Sequence, residues 1–353
     1  MKNFRRKVFA VAMSGGVDSS VVAALLQSRG HDVFGITMDI HENCIQDLED
    51  AAEVCRKLRI PHYVVDVRAR YKEKVIDLFV EYYLKGFTPN PCALCNRDIK
   101  LNFLLDIVRE KGADLMATGH YAKLHVREEN VLLSEAINLM KDQSYFVSLA
   151  PKEKLKYVQF PLGNIKSKEE TRKIAAEFNL PNFRKDDSQD ICFIRNENYK
   201  EFLKKIDGIN LNGAGNIRLL KTGEIVGQHN GIINYTVGQR KGLGVSHEIP
   251  LYVIKLNPEN NDVIVGEKKD LDVTSFSVFS VNWLVDTETK FEAFVKLRSF
   301  GKKSKAIIEK SGEDAITVQL LETSLTPVTS GQICAIYNEN NMVFGGGVIV
   351  NNT

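Results

Sequence analysis

The chain has 353 residues, 44% hydrophobic and 26% charged, with a formal net charge of +2. That length exceeds what one hydrophobic core serves and predicts two or three domains, while the near-neutral balance excludes capture of nucleic acid by a global field and leaves local basic patches. No run of about 18 apolar residues occurs and Met1 to Lys7 leads into a strand rather than a signal core, so a cytoplasmic protein without a membrane segment is expected; six cysteines are too few for a disulfide scaffold.

Val8 to Ala12 is a short apolar run that feeds Met13-Ser14-Gly15-Gly16-Val17-Asp18-Ser19-Ser20 and then an apolar helix. The pattern predicts a buried strand, a tight turn and a helix start. Gly15 and Gly16 permit close backbone approach and the serines add donors, which makes a cradle for phosphate at a helix N-terminus. The turn has neither the Lys of a G-x-x-x-x-G-K-[ST] loop nor the spacing of G-x-G-x-x-G, which disfavours γ-phosphoryl transfer and dinucleotide binding. Its S-G-G-x-D-S signature resembles the pyrophosphate loop of ATP pyrophosphatases, which transfer AMP to a carbonyl oxygen. Further apolar runs at Asp32 to Met38, His62 to Val67 and Asp114 to Thr118 read as strands buried on both faces. Helical faces such as Leu48, Ala51, Ala52, Cys55 and Leu58 separate them. The alternation predicts an α/β domain with a parallel sheet and a ligand site at the carboxyl ends of its strands, where the loop, Met38 and Gly119-His120 fall. At Met38, contact with an adenine competes with plain packing.

The segment Thr88-Pro89-Asn90-Pro91-Cys92-Ala93-Leu94-Cys95-Asn96-Arg97 predicts an extended entry and then an amphipathic helix carrying Ile99, Phe103, Leu104, Ile107 and Val108. A thiolate at a helix start is favoured by the dipole, so Cys92 or Cys95 is expected to act as nucleophile or ligand. Zinc is not favoured, because a second C-x-x-C or His pair at ligand spacing is missing. Ser167-Lys168-Glu169-Glu170 has capping-box spacing and opens a helix that should stop near Leu180-Pro181. Asp186-Asp187-Ser188-Gln189-Asp190-Ile191-Cys192-Phe193-Ile194 reads as a polar loop delivering Cys192 to a site, whereas Cys44, Cys55 and Cys334 read as small buried hydrophobes. Dense glycine and asparagine from Gly208 to Gly244 predict a small middle module. Beyond Leu251 a two-residue alternation, as in Ile316, Val318 and Leu320, with turns at Lys310 to Glu313 and Asn338 to Asn341, predicts a C-terminal β-barrel or sandwich. The expected boundaries are a catalytic domain over 1–200, the middle module over 201–268 and the barrel over 269–353.

Met13 to Ser20, Thr88-Pro89-Asn90-Pro91 with Cys95-Asn96, Gly119-His120-Tyr121-Ala122, Lys141-Asp142-Gln143-Ser144-Tyr145-Phe146, Ile191-Cys192-Phe193-Ile194 and Tyr235 to Gly244 occur in this order. In these motifs, and over nearly all its length, the chain resembles the tRNA-specific 2-thiouridylase family. The resemblance implies an N-terminal parallel-sheet domain of the ATP pyrophosphatase (adenine nucleotide alpha hydrolase-like) class, a small RNA-contacting module and a C-terminal β-barrel. It implies activation of the 2-carbonyl oxygen of a tRNA wobble uridine by ATP and replacement of that oxygen by sulfur.

By the same resemblance, ATP lies on Ala12, Met13, Ser14, Gly15, Gly16, Val17, Asp18, Ser19, Met38 and Gly119, with Asp18 holding Mg2+. The target base lies near Asn90, Pro91, Cys92 and His120. Cys192 carries a persulfide supplied by a relay protein or cysteine desulfurase, and Cys95 resolves it through a disulfide with Cys192. RNA contacts are expected from Lys141, Asp142, Gln143, Arg240, Lys241, Arg298, Ser299 and Gln332, the last three in or near a basic stretch with Phe300, Lys302, Lys303 and Lys305. Much of the family has Asp where this chain has Cys92. Cys92, Cys95 and Cys192 would alternatively hold a 4Fe-4S cluster, or Cys92 would serve as a third relay thiol. Read from the phosphate loop alone, an adenylating ligase or amidotransferase and a non-catalytic RNA-binding protein also stand as alternatives.

Overall fold

The computed structural model describes residues 5–41, 44–127, 130–186, 191–194, 197–206, 213–324 and 326–350. Asp187 to Asp190, Gly208 and Asn212, singled out above, lie outside them.

Four strands stand where the apolar runs place them: β1 (Val8–Ala12), β2 (Asp32–Asp39), β3 (His62–Asp66) and β4 (Leu115–Ala117). A hairpin of β5 (Ala122–Arg127) and β6 (Asn130–Glu135) follows, and β7 (Val158–Gln159) closes the sheet edge. The sheet order is β3-β2-β1-β4-β7 with every pairing parallel. β1 therefore has β2 on one side and β4 on the other, with Ala10 beside both Phe34 and Met116. The chain reverses its winding there, and the crevice above the carboxyl ends of β1 and β4 is where an open sheet binds its ligand.

The helix that opens at Pro91 is composite. Asn90 caps it, its side chain accepting from the Ala93 amide at 3.1 Å, and Pro91 takes the first helical position, where a missing N–H is harmless. Pro91–Cys95 is α-helical, Asn96–Leu104 is π-helical and Leu105–Glu110 is α-helical again. The helix packed against it shares this trait, with Arg68–Tyr71 α-helical, Lys72–Ile76 π-helical and Asp77–Leu84 α-helical. In the Lys168–Glu177 helix, Ser167 accepts from the Glu170 amide at 3.2 Å, while the Glu170 carboxylate reaches one residue further back, to the Lys166 amide.

The middle module is a four-stranded mixed sheet, formed by β8 (Ala214–Leu219), β9 (Ile225–Asn230), β10 (Tyr252–Asn257) and β11 (Asp262–Gly266) in the order β10-β11-β8-β9. Its apolar face joins a core containing Tyr71, Phe79, Cys95, Ile99, Phe193, Ile217 and Val253, so it backs the Cys192 loop. The C-terminal strands β12 (Ser275–Trp283), β13 (Lys290–Lys296), β14 (Ser304–Lys310), β15 (Ile316–Leu320), β16 (Ile333–Tyr337) and β17 (Val343–Val350) close into a barrel in the order β12-β15-β14-β13-β16-β17. Of the two sequence alternatives, barrel and sandwich, the barrel is the one realised; closure leaves no unpaired edge.

The barrel is not an appendage. Ile333, Ala335, Tyr337 and Val348 share one buried cluster with Ala10, Met116 and Tyr145. Gln332 Nε2 donates to Thr88 O at 2.8 Å, and the Thr88 amide donates to Ser330 O at 2.8 Å. The extended entry to the Cys92 helix is thereby gripped by the loop before β16. Among the described residues no helix is long and apolar enough to cross a membrane.

Candidate active site

The turn after β1 has the build its sequence implies. Gly16 caps the Val17–Ser28 helix with extended backbone, and the serine hydroxyls knit the turn: the Ser14 amide donates to Ser19 Oγ at 3.2 Å, and Ser20 Oγ donates to Gly16 O at 2.9 Å. The first amides of that helix have no partner within it and face an incoming anion. Gly15 sits at φ +70°, and a Cβ there would lie 2.7 Å from Asp47 O. At the end of β4, a Cβ on Gly119 would stand 2.9 Å from the Ser19 amide nitrogen. Both positions therefore require glycine, one for conformation and both for room. Met38 is half-buried at the end of β2 and packs against two cores.

Asp18 is held by two donors. Its Oδ1 accepts from Lys168 Nζ at 2.8 Å and from the Tyr121 hydroxyl at 2.8 Å. The aspartate so fixes an ammonium, whose side chain is only 12% exposed, beside the phosphate cradle. Lys185 makes a second cation there, bonded to Asp50 at 2.5 Å and to Gly15 O at 3.4 Å, while Asn182 donates to Gly15 O and Ser20 Oγ.

The three thiols differ. Cys95 is buried, whereas Cys92 and Cys192 are exposed. Cys44, Cys55 and Cys334 are buried, as expected. The helix dipole does not make Cys95 a resting thiolate: burial pushes its pKa up to about 12, with the charge of Lys100 opposing. Desolvation outweighs the dipole, whose reach is limited to the first turn and whose contribution is about 1 kcal/mol or less at exposed positions. Lys100 is the cation of this group. Burial works against its charge, but Cys95, Cys192 and Cys92, in that order, more than compensate, and its pKa stands above the ordinary value. In an α-helix Lys100 would lie about 140° round from Cys95; the i→i+5 pairing of the π turns returns it to nearly the same face. Tyr71, 1% exposed, places its hydroxyl 3.0 Å from Cys192 Sγ. Burial and the neighbouring thiols keep that phenol protonated. Among the described residues no three His, Cys, Asp or Glu side chains converge to hold a metal ion.

His120 links the two halves. It follows Gly119, its Nδ1 lies 2.7 Å from Thr118 Oγ1, and burial, assisted by the charge of Lys100, lowers its pKa to about 3. The imidazole is therefore neutral at neutral pH. In an unfolded chain it protonates near pH 6.5, whereas the native state resists until about pH 3, so stability is lost as pH falls through that window. His120→Gln is expected to flatten the fall in urea midpoint between pH 6 and pH 4; an unchanged slope would refute the assignment.

The expected RNA contacts separate into several kinds. Asp142 is buried: its side chain is 1% exposed, accepts from the Ala136 and Ser144 amides and from Ser144 Oγ, and lies 3.6 Å from Lys296. Gln143 accepts from the Tyr121 amide and Gln332 grips Thr88, so both brace the site. Arg298 donates to Thr329 Oγ1 at 3.0 Å and keeps a buried Nε without a partner; neighbouring Ser299 is half-buried. Lys141 is half-buried, whereas Arg240 and Lys241 are exposed, and Arg240 lines an open groove of about 600 Å³ with Gly242 to Leu251. In the barrel, Lys303 pairs with Glu135 and Lys305 with Glu292, while Phe300 is 90% exposed. Tyr71, Lys100, Lys168 and Lys185 were not singled out by sequence reasoning, since their roles depend on partners remote in the chain.

The chain matches three family descriptions: tRNA methyl transferase HUP domain over residues 6–196, tRNA methyl transferase PRC-barrel domain over 200–267, and aminomethyltransferase beta-barrel domain over 273–349. It is similar to NMN synthetase from Francisella tularensis at 19% identity and TM-score 0.36, over 53% of this chain and 68% of that one. It is 44% identical to the tRNA-specific 2-thiouridylase MnmA of Rickettsia peacockii (strain Rustic), over 98% of this chain and 97% of that protein. The corresponding protein of Rickettsia akari (strain Hartford) is 43% identical, again over 98% and 97%. With a phosphate cradle and a thiol group on one sheet crevice and this identity along almost its whole length, the chain belongs to the tRNA-specific 2-thiouridylase MnmA family.

Proposed function

We propose that this protein is an ATP-dependent tRNA sulfurtransferase that replaces O2 of an anticodon wobble uridine by sulfur, using a persulfide on Cys192 with Cys95 as its partner. The observation that carries the reading is the continuity of the two half-sites: Gly119 leans on the Ser19 amide of the cradle, and the next residue, His120, feels the ammonium of Lys100 among the thiols. A carbonyl oxygen is a poor leaving group, so chemistry at C2 needs the activation that the cradle provides.

ATP enters as its magnesium complex. O2 of the uridine attacks the α-phosphate, pyrophosphate leaves onto the amides and the Lys168 ammonium, and the N3 proton departs. The terminal sulfur of the Cys192 persulfide then forms a bond to C2 and AMP leaves with its electron pair. Cys95, ionised as Lys100 stabilises the developing thiolate, attacks Cys192 Sγ. The bond from Sγ to the transferred sulfur breaks towards that sulfur, N3 regains a proton, and a Cys95–Cys192 disulfide remains for an external thiol reductant. The sulfane sulfur gains the two electrons that the disulfide has lost. The ammonium beside Cys95 and the hydroxyl on Cys192 suit thiolates and persulfides.

The test is reconstitution with ATP, a persulfide donor and unmodified tRNA, followed by nucleoside analysis. Wild type is expected to yield 2-thiouridine, and Cys192→Ser pyrophosphate and adenylated tRNA without it. No 2-thiouridine from wild type would refute the reading, and stoichiometric iron after anaerobic purification, lost in Cys92→Ala, would replace the persulfide by a cluster.

A further inference from the structure

The Tyr71 hydroxyl lies within hydrogen-bond distance of the Cys192 sulfur, and it comes from a segment 121 positions away. Its ring is locked. It packs edge-on to Phe193 with centroids 6.0 Å apart, and it lies in the same buried core as Cys95, Ile99 and Ile194. Its helix turns π-helical at Lys72, immediately after the tyrosine, just as the Cys95 helix does at Asn96. Such wide turns add a residue to a helix and re-aim what precedes them, and they gather at functional sites. A phenol kept neutral by its surroundings has a proton to donate, and a hydrogen bond to an anion is about twice as strong as one to a neutral group. Cys192 itself is exposed on a loop, so without an anchor its sulfur has several rotamers open to it.

We infer that Tyr71 is a positioning residue for sulfur transfer: its buried hydroxyl donates to Cys192 Sγ, fixing that inner sulfur so that the sulfane sulfur beyond it points to the base while Cys95 approaches from the helix side. The inference rests on the persulfide reading of Cys192. Donation to Sγ also draws electron density from the atom that Cys95 attacks, so the hydroxyl serves both halves of the transfer. Among the described residues, Cys92, Cys95 and Lys100 of the Pro91 helix also interact with Cys192.

Two measurements test this. In a single turnover started from persulfidated enzyme, Tyr71→Phe is expected to slow sulfur transfer about tenfold more than it slows pyrophosphate release; a fall shared equally by both steps, or transfer within twofold of wild type, would overturn the inference. With 3-fluorotyrosine at position 71, blocking exposed thiols with methyl methanethiosulfonate should move the fluorine resonance in wild type but not in Cys192→Ser. The same shift in both proteins would also overturn it. Should Tyr71→Phe fail to fold, the fluorine measurement decides alone. That measurement needs neither ATP nor tRNA, so a protein that passes it yet makes no 2-thiouridine loses the functional reading and keeps the contact.

Discussion

Lys100→Gln is expected to depress sulfur transfer roughly 30-fold relative to its effect on adenylation, a value that follows from about 2 kcal/mol for a unit charge several ångströms away at an effective permittivity near 20. The reason is the resting state of Cys95. Burial holds that thiol near 12, so almost none of it is thiolate at neutral pH, and Lys100 is the charge that opposes this. Glutamine keeps the length and much of the polarity but removes the charge. Single-turnover formation of 2-thiouridine, set against pyrophosphate release by the same preparation, measures the difference. Losing both in proportion would mean that Lys100 shapes the fold rather than the thiols. A second readout comes from His120, whose imidazole is lowered first by burial and then by Lys100. In Lys100→Gln its midpoint, followed by NMR, should move up towards the ordinary value.

Gly119→Val should abolish adenylation, with at least a hundredfold loss in kcat/KM for ATP. Even the first carbon of a side chain would stand 2.9 Å from the Ser19 amide and 3.0 Å from Asp18 Cβ. Valine adds two more carbons in the space between the end of β4 and the start of the first helix. Relief requires moving the cradle whose amides meet the phosphate, and such overpacking in itself destabilises by about 1–3 kcal/mol. Thermal unfolding should therefore show a modest drop in Tm, whereas ATP-dependent AMP formation disappears. Full activity with an unchanged Tm would show that the crevice between β1 and β4 is looser than its geometry implies.

Much of this architecture is legible before any coordinates. Val8–Ala12 is a strand because its apolar run is bounded by basic residues and a glycine turn, and Asn90 with Pro91 marks a helix start by the chemistry of capping. What escapes is long-range or non-periodic. Tyr71 has no local feature that distinguishes it from other tyrosines, since its partner is Cys192. Lys100 lies off the cysteine face by α-helical counting and is restored to it only by π turns, which leave no mark in hydrophobic spacing. Asp142 carries a charge that reads as exposed, and only the fold brings Lys296 and the Ser144 amide to it. The dipole argument for Cys95 is sound locally and fails because burial, which depends on the whole domain, is the larger effect.

The π turns of the Cys95 helix also carry a consequence for the reading frame of the protein. A single codon removed between Asn96 and Leu104 would give back ordinary α geometry, leaving Leu105–Glu110 and the sheet beneath it free to keep their packing. A deletion before Lys100 would put the ammonium four residues from Cys95, about 40° round an α-helix, so thiol and ammonium would stay on one face, whereas a deletion after Lys100 that restored α geometry throughout would leave them about 140° apart without a single side chain being changed.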